Sequence, residues 1–354
     1  MRGINIMKKI LTLVMSCVVG ISLFAGITGC SSKSIGGKGS DAITVVWYPN
    51  ESGGDLEEAR NEIGNIITEA TGKKVEHKLT TDYSVAIESI ANGTGGIAFM
   101  GAQGYVEAHK KNEKILPLAV PSGKSGTIDD AVYYSWIGVP KDKAEDYKKD
   151  GKYTLDNIEG KKMSFVSNSS TSGFKIPTTS IVSYFSQTDK WKDLKTEDLM
   201  EGGKDKFFSE VLYGGSHQGS AVNVLTEKAD VGAFCDTTLI NYVDAVEGTF
   251  NEVGTTYKVK SDAAEPFNTL TGKEFTAIAS IPVLNAPFVM NTEVISEEDQ
   301  KKLVEKFTSD EVASDKKVFV EKDSNTKGFF TKEGNERFIN VEDSWFDPIR
   351  DLSK

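Results

Sequence analysis

Residues 167–177, SNSSTSGFKIP, contain five hydroxyl side chains and a glycine at the junction of two predicted elements. The apolar run at 162–166 predicts a strand before this stretch, and a helix is predicted after it, over about 178–185. The first N–H groups of a helix lack partners within it and carry the positive end of its dipole. A hydroxyl-rich loop at such a point indicates a site for a tetrahedral oxyanion. The alternative is that the hydroxyls only cap the helix and shape the turn.

The beginning of the chain has the pattern of a secretory signal. The basic residues Arg2, Lys8 and Lys9 precede an apolar run over 10–27, and small residues follow before Cys30. The run is also just long enough for a permanent membrane-spanning anchor. Small residues directly before a cysteine argue against that alternative.

The segment Ile-Thr-Gly-Cys at 27–30 resembles the box of bacterial lipoproteins, in which the cysteine is lipidated and becomes the mature N-terminus. We therefore expect a signal over 1–29 and lipidation of Cys30. The Ser-, Gly- and Lys-rich residues 30–40 are then a lipidated, flexible tether. This arrangement would hold the protein on the outer, extracytoplasmic face of the bacterial cytoplasmic membrane.

Composition excludes several classes of partner. Loss of the predicted signal removes three positive charges and changes the formal charge from −11 to −14, which disfavours nucleic acid and anionic lipid as partners. An anion that binds here would be held by local dipoles and hydroxyls and not by net charge. Cys17 leaves with the signal, Cys30 carries the lipid and Cys235 has no partner, so the processed chain cannot form an intramolecular disulfide.

The rest of the chain alternates strand and helix patterns. Strand-like runs at 43–48, 75–79 and 97–100 are separated by helix-like segments. Asp55 precedes the first of these helices, and its spacing from Glu58 is that of a capping box. The order predicts an α/β fold in which ligands bind beyond the carboxyl ends of parallel strands.

The mature length exceeds what one hydrophobic core usually supports, so the sequence predicts two lobes. We expect residues 41–138 and 281–354 in lobe 1 and residues 139–280 in lobe 2. Two crossover segments, near 134–139 and 281–287, would join the lobes.

A second polar loop precedes a later helix. Residues 213–219, YGGSHQG, lead into an apolar helical pattern, with His217 at its start. A histidine cation in this position donates two hydrogen bonds, and an adjacent anion raises its pKa. The alternative is a histidine that only caps the loop.

In these features the chain resembles a type II solute-binding protein, specifically the phosphate/phosphite/phosphonate-binding lipoproteins of ABC transporters. The resemblance in layout extends from about residue 43 to the end, and four segments carry it: 50–52, 82–83, 169–177 and 215–217. It implies an α/β, two-lobed, type II periplasmic-binding-protein-like fold. Each lobe would be a mostly parallel sheet flanked by helices, and two crossover segments would join the lobes. It also implies a monomeric binding protein and not an enzyme, without cofactor or metal, whose partner is an ABC transporter permease.

The resemblance assigns binding residues in the second lobe. In that family the hydroxyls of a Ser-Thr-Ser triplet and nearby N–H groups bind the phosphonate oxygens, which implies Ser170, Thr171 and Ser172 here, with Ser169 beside them. Each hydroxyl can rotate to donate a hydrogen bond to an anion. His217 matches a family histidine that contacts the anion.

Three further candidates lie at the mouth of the first lobe. Tyr83 matches the family's aromatic residue that closes on the ligand, with a role in the core as its alternative. Ser52 could donate a hydrogen bond. Glu51 would repel a dianion unless it accepts from a protonated oxygen of the ligand.

The sequence departs from the family where some members bind an ammonium group. Members that prefer an aminoalkyl phosphonate use carboxylates there, whereas this chain offers Thr237 and Ala286, with Asp236 one residue away. A buried ammonium without a partner is costly, so this departure disfavours aminoethylphosphonate and favours phosphite, methylphosphonate or phosphate. A one-residue shift in the alignment would restore Asp236 to the site.

Two other functions fit parts of the sequence. An extracytoplasmic phosphoester hydrolase would use a serine nucleophile with His217 as base. The chain offers no Gly-x-Ser-x-Gly elbow and no His-x-x-Glu-His motif, and it has three histidines in all. A ligand sensor with the same fold would report to a membrane receptor, and the sequence does not separate this role from transport.

Overall fold

The computed structural model describes residues 41–352 with the exception of 323 and 325. The predicted signal over 1–29, the lipidation site Cys30 and the tether over 30–40 lie outside the described residues. Within the described part of the chain, no helix has both the length and the apolar character needed to cross a membrane.

The first sheet has six strands, and both of its faces are buried. The strand Ala42–Trp47 pairs in parallel with Lys74–Leu79 on one side and with Ile97–Phe99 on the other. Because side chains alternate along a strand, Val45 enters the core on one face and Val46 the core on the other. In spatial order the strands are Phe338–Ile339, Ile115–Pro121, Phe288–Asn291, Ile97–Phe99, Ala42–Trp47 and Lys74–Leu79.

The second sheet has seven strands and also separates two cores. Trp136 and Phe234 pack on one face, and Ile137 and Ala233 pack on the other. Strands buried on both faces are typical of sheets that helices cover on each side. In spatial order the strands are Val243–Glu247, Thr256–Val259, Glu274–Leu284, Val132–Pro140, Val231–Cys235, Lys162–Phe165 and Glu210–Tyr213.

The chain crosses between the sheets next to two long strands of the second sheet. Val132–Pro140 and Glu274–Leu284 lie antiparallel to each other in the second sheet, from the pair Val132 and Leu284 to the pair Pro140 and Phe275. The chain leaves the first sheet after Pro121 and returns to it at Phe288. Asn285 joins the two links, since its N–H donates to Ala131 O at 3.0 Å and its Nδ2 donates to Pro121 O at 2.8 Å.

The two-lobed α/β fold is confirmed, and we call the parts built on the first and second sheets the first and second lobes. The predicted boundaries at 138/139 and 280/281 fall inside the two long strands, and the division of the chain stays a prediction. Both sheets are mixed and not mostly parallel. The reason is that each long strand and Phe288–Asn291 run against their neighbours, which a chain that crosses twice between lobes brings about.

Helices cover both faces of each sheet. The helix Glu57–Thr71 buries Ile63, Ile66 and Ile67, whose spacing of three and four residues forms one apolar face. Asp55 does not cap this helix as its spacing predicted. Its carboxylate instead accepts a hydrogen bond from Tyr242 Oη of the second lobe at 2.9 Å, because the lobes meet here.

The remaining elements complete the two lobes. The other α-helices of the described residues are Tyr83–Ala91, Ala102–Lys111, Ile176–Phe185, His217–Leu225, Asp236–Leu239, Glu297–Phe307, Asp310–Ala313 and Asp347–Asp351. Two small ladders pair Phe319–Glu321 with Phe330–Lys332 and Lys148–Lys149 with Lys152–Tyr153.

Candidate functional site

A cavity of about 80 Å³ lies between the lobes and takes its walls from both. A single water needs about 10–15 Å³, so the cavity can hold a small solute. Polar and apolar residues both line it, and we call these two parts of the lining the polar end and the apolar end. The polar end is lined by Tyr48, Asn50, Glu51, Tyr83, Tyr133, Ser170, Thr171, Ser172 and His217. The apolar end includes Leu56, Phe99, Pro121, Ala286, Gly328, Phe329 and Phe330. The lining also contains the polar residues Thr237, Thr238, Asn241 and Asn285, of which Asn241 and Asn285 hydrogen-bond to Gly328 O and Pro121 O.

The hydroxyl loop forms the tightest part of the polar wall. Its helix begins earlier than predicted, because residues Thr171–Lys175 form one wide turn ahead of Ile176–Phe185. Pro177 is the second residue of the α-helical part Ile176–Phe185, directly after this wide turn. Gly173 packs against the preceding strand so closely that a Cβ atom would lie 2.2 Å from Val166 Cγ2. Glycine is required there to bring the hydroxyls into the cleft.

Ser170, Thr171 and Ser172 are all buried at the cavity. Ser170 Oγ accepts from Gly173 N at 3.1 Å, and Thr171 Oγ1 accepts from Gln103 N of the first lobe at 2.9 Å. Ser172 Oγ has no hydrogen-bond partner among the described residues. An oxygen that accepts can still turn its own hydrogen toward a ligand. The triplet therefore combines helix capping, contact between the lobes and hydrogen-bond donors at the cavity.

His217 lies at the start of a second helix in the same wall. Ser216 caps this helix by accepting from Gly219 N at 3.0 Å. The His217 side chain is buried, and its Nδ1 lacks a hydrogen-bond partner within the described chain. Burial lowers the pKa of His217 to about 3, so the imidazole is neutral at physiological pH. A bound anion would raise this pKa, because opposite charge favours the imidazolium.

Asn50 connects the two halves of the polar end and was not among the predicted site residues. Its Oδ1 accepts from His217 N at 3.0 Å, its carbonyl accepts from Gln218 Nε2 at 2.9 Å, and its Nδ2 donates to Tyr83 Oη at 2.6 Å. The sequence signal was its position directly after the first strand. Nothing local distinguished its side chain from that of Ser52.

Two phenol groups of the first lobe stack at the cavity. The rings of Tyr48 and Tyr83 lie 4.0 Å apart between centroids, with an interplanar angle of 29°. Burial raises the pKa of both hydroxyls well above the usual value, so both stay protonated. Tyr48 Oη has no hydrogen-bond partner among the described residues. Tyr133 adds a third phenol from the second lobe. Tyr48 and Tyr133 were not predicted, because aromatic residues next to strands are usually core residues.

Glu51 lines the cavity as a carboxylic acid. Burial raises its pKa to about 8, although the Asn50 side chain and Arg60 partly oppose that shift. Its Oε2 is buried and without a hydrogen-bond partner in the described structure. Near neutral pH the group is therefore largely protonated and can donate a hydrogen bond. The repulsion expected from sequence applies only above this pKa.

Three predicted site residues do not line the cavity. Ser52 Oγ donates to Tyr48 O at 2.8 Å, and Ser169 is half-buried but is not among the residues that line the cavity. Asp236 is buried, but its carboxylate accepts from Tyr134 N, Thr237 N and Asn251 Nδ2 at 2.8, 2.8 and 2.9 Å. The neighbouring Thr237 lines the cavity instead.

The electrostatics of the polar end come from dipoles and neutral donors. Among the described residues that line the cavity there is no lysine or arginine. Four helical segments begin at this cavity, with Tyr83, Gly101, Thr171 and His217 at or next to their first residues. Their N–H groups present partial positive charge. Within the described residues, no cluster of His, Cys, Asp or Glu is arranged to hold a metal ion.

Comparison with known proteins gives one consistent answer. A family model described as the periplasmic substrate-binding protein of phosphonate ABC transporters matches residues 45–345. A protein from Mycolicibacterium smegmatis named phosphate-import protein PhnD is 28% identical over 201 residues. That alignment covers 56% of this chain and 56% of the other protein, so the match spans little more than half of that relative.

Two solved structures share the fold over most of their length. A binding protein of an ABC phosphonate transporter from Pseudomonas aeruginosa superimposes with a TM-score of 0.62 at 19% identity, covering 88% of this chain and 85% of the other. PhnD1 from Prochlorococcus marinus, solved in complex with methylphosphonate, gives a TM-score of 0.60 at 14% identity, covering 88% and 97%. At these identities the likeness establishes the type II periplasmic-binding-protein fold.

Proposed function

Because the chain belongs to the family of periplasmic substrate-binding proteins of phosphonate ABC transporters, we propose that it captures a small oxyphosphorus anion between its lobes and delivers it to an ABC transporter permease. Members of this family are substrate-binding proteins of transporters and not enzymes, which confirms the expectation that the chain is not an enzyme. The proposed ligands are phosphite, methylphosphonate or another small phosphonate, and phosphate.

One observation carries the proposal. Buried polar atoms of Tyr48, Glu51, Ser172 and His217 surround one end of the cavity without hydrogen-bond partners among the described residues. Buried polar groups are normally satisfied, and leaving one unpaired costs about 1–3 kcal/mol. A tetrahedral anion with several oxygens can accept from several of these donors at once.

The donor set suits an oxyphosphorus anion. Hydroxyl and phenol groups and helix N–H groups donate, and the Glu51 carboxylic acid adds a further donor below its pKa of about 8. Hydrogen bonds to a charged group contribute about 1.5–3 kcal/mol each. A few such bonds are therefore enough for tight binding without a lysine or arginine in the wall.

Closure of the lobes around the ligand is part of the proposal. Three hydrogen bonds cross the cleft. Asn50 accepts from His217 N, Thr171 accepts from Gln103 N, and Asp55 accepts from Tyr242 Oη. The links after Pro121 and before Phe288 are the proposed hinge, because they are the short segments that leave one sheet and enter the other. Ligand capture would then stabilise the closed form.

A panel of anions tests the ligand class. Phosphite, methylphosphonate, phosphate, aminoethylphosphonate and sulfate are added to the purified protein in thermal-shift and calorimetric titrations. A ligand at 100 times its dissociation constant stabilises the fold by about 2.7 kcal/mol, which raises the melting temperature by a few degrees. Absence of any response to the phosphorus anions would exclude the proposed ligand class.

The membrane-bound form is proposed from the sequence of the N-terminal segment and needs its own test, and we propose a monomer because that state suits docking to a transporter. Mass spectrometry of the protein from its native membrane should detect a lipid on Cys30, and Cys30→Ala should remove that lipid. Co-purification with a permease on crosslinking in the membrane would support delivery. Capture of a sensor receptor and no permease would point to signalling instead.

A further inference from the structure

Part of the cavity lining is an aromatic wall, whose residues pack with the core on the opposite face of the first sheet from Tyr48 and Tyr83. We call the side chains of Phe99, Phe329 and Phe330 the phenylalanine wall, and they line the same cavity as the oxyanion donors. Leu56 and Ala286 continue the apolar lining on either side. An anion bound by the polar end would therefore direct any substituent on phosphorus toward this wall.

Packing behind the wall holds it in place. The ring of Phe329 stacks on Trp47 with 5.2 Å between centroids and an interplanar angle of 25°. The ring centroid of Phe99 lies 6.3 Å from that of Phe329 and 5.6 Å from that of Phe330. Trp47 and Phe99 belong to adjacent parallel strands of the first sheet. Phe99 and Phe330 thus lie in strands, and Phe329 stacks on Trp47 of a neighbouring strand.

The segment carrying Phe329 also contacts the second lobe. Gly328 O accepts from Asn241 Nδ2 at 3.2 Å, and Lys327 Nζ lies 5.2 Å from the ring centroid of Tyr242. A Cβ atom on Gly328 would lie 2.4 Å from Val320 Cγ2, so glycine allows the close approach that positions Phe329. The segment that carries Phe329 is therefore held by contacts with both lobes.

No carboxylate is available to an ammonium group at this wall. Of the described residues that line the cavity, Glu51 is the one acidic residue, and it lies among the oxyanion donors. Asp236 is held by three hydrogen bonds behind the wall of the cavity. Asp55 is occupied by Tyr242 Oη at 2.9 Å and Lys327 Nζ at 3.5 Å. An ammonium group buried here would lose its hydration without gaining an ionic partner.

We propose that the ligand carries an uncharged, apolar substituent on phosphorus, and that Phe99 and Phe329 determine this specificity. The inference rests on the proposed function, because the oxyphosphorus group must first occupy the polar end. It narrows the ligand to alkyl- or arylphosphonates. It disfavours phosphate and phosphite, which leave the phenylalanine wall without a contact.

A matched ligand series tests the substituent. Propylphosphonate and 2-aminoethylphosphonate have nearly the same size and differ in a terminal methyl or ammonium group. Calorimetry should show propylphosphonate binding at least about tenfold more tightly, and affinity should rise about fourfold for each CH₂ from methyl to propyl, which corresponds to about 0.8 kcal/mol. Tighter binding of aminoethylphosphonate, through a cation on the aromatic faces, would overturn the proposal, and so would phosphate or phosphite binding as tightly as propylphosphonate.

Substitution of the wall tests the named residues. Phe329→Glu should reverse the order of propylphosphonate and 2-aminoethylphosphonate, because it supplies the missing carboxylate. Val253→Glu adds the same charge at an exposed apolar residue away from the cavity and should leave the order unchanged. If Phe329→Glu does not fold, Phe99→Leu and Phe329→Leu should each reduce the ratio of propylphosphonate to phosphite affinity. If no variant changes the ratio of propylphosphonate to phosphite affinity, Phe99 and Phe329 do not determine the specificity.

The series separates the two proposals. If no phosphorus anion binds, the proposed function fails. If phosphite and phosphate bind and longer phosphonates do not, the proposed function stands and the apolar specificity is wrong.

Discussion

The two lobes build the polar end of the cavity in different ways. The second lobe supplies residues 170–172 from one turn and His217 from another helix start, so its donors come from short local motifs. The first lobe supplies Asn50, Glu51 and Tyr83, which reach the cavity from separate segments. Asn50 owes its position to partners in both lobes, through His217 N and Tyr83 Oη. A local motif is therefore enough for the second lobe's share, whereas Asn50 of the first lobe is held in place by residues of both lobes.

The largest expected effect tests the local motif. Ser172→Ala should weaken binding of methylphosphonate roughly 10- to 100-fold, because a hydrogen bond to a charged group contributes about 1.5–3 kcal/mol. The Ser172 hydroxyl has no hydrogen-bond partner among the described residues, so its loss should not disturb the fold. Titration calorimetry measures the change.

Ser169→Ala is the matched control for that loop. It removes a hydroxyl from the same turn that does not line the cavity, and the affinity should change by no more than about twofold. Similar losses in the two variants would show that the hydroxyls only shape the loop.

The second expected effect tests the assembled side. Asn50→Ala removes two side-chain hydrogen bonds, one of them between the lobes, and should weaken binding by up to roughly 30-fold at about 1 kcal/mol per bond. Small-angle scattering should show a more open protein without ligand. Asn65→Ala, on an exposed face of the first helix, should change neither quantity. An Asn50→Ala protein that closes and binds like the parent would remove the proposed link between the lobes.

A smaller effect concerns pH and the first lobe's carboxyl group. The pKa of Glu51 is raised to about 8, so the group donates to the anion below that pH and repels it above. Affinity should therefore fall as pH rises past about 8, by at most about tenfold per unit. Glu51→Gln keeps a neutral donor and should lack this loss.

Comparing the two proteins at each pH removes the contribution of the ligand's own protonation, which both share. Glu58→Gln is an exposed control that should follow the parent protein. An identical pH dependence for Glu51→Gln and the parent would show that Glu51 does not contact the anion.

The smallest expected effect on ligand affinity is that of Ser52→Ala, at the mouth of the first lobe. Ser52→Ala removes a hydroxyl that donates to Tyr48 O at 2.8 Å. It should lower the free energy of unfolding by about 1 kcal/mol and leave ligand affinity within about twofold. A denaturant melt and a titration on one preparation measure both. A loss of affinity as large as that of Asn50→Ala would return Ser52 to the site.

Local patterns predicted the elements of the fold well where the chain is periodic. The helix Glu57–Thr71 and the strand Ala42–Trp47 followed from apolar spacing, since one buries a single face and the other is buried on both. The predicted mostly parallel sheets were wrong in detail, because strand direction depends on how the chain returns from the other lobe. The cap expected from Asp55 was wrong because a residue of the second lobe, Tyr242, binds its carboxylate.

The sequence by itself determined the elements that carry a local physical signature. A hydroxyl cluster before a helix, a histidine at a helix start and alternating strand and helix runs need no distant partner to be recognised. Only the tertiary structure decided that Asn50 and not Ser52 enters the cavity, that Glu51 is protonated near neutral pH, and that Phe329 covers the apolar end. These properties depend on burial and on contacts between residues far apart in the chain. The burial and the long-range contacts arise when the two lobes pack against each other, and no local sequence pattern encodes them.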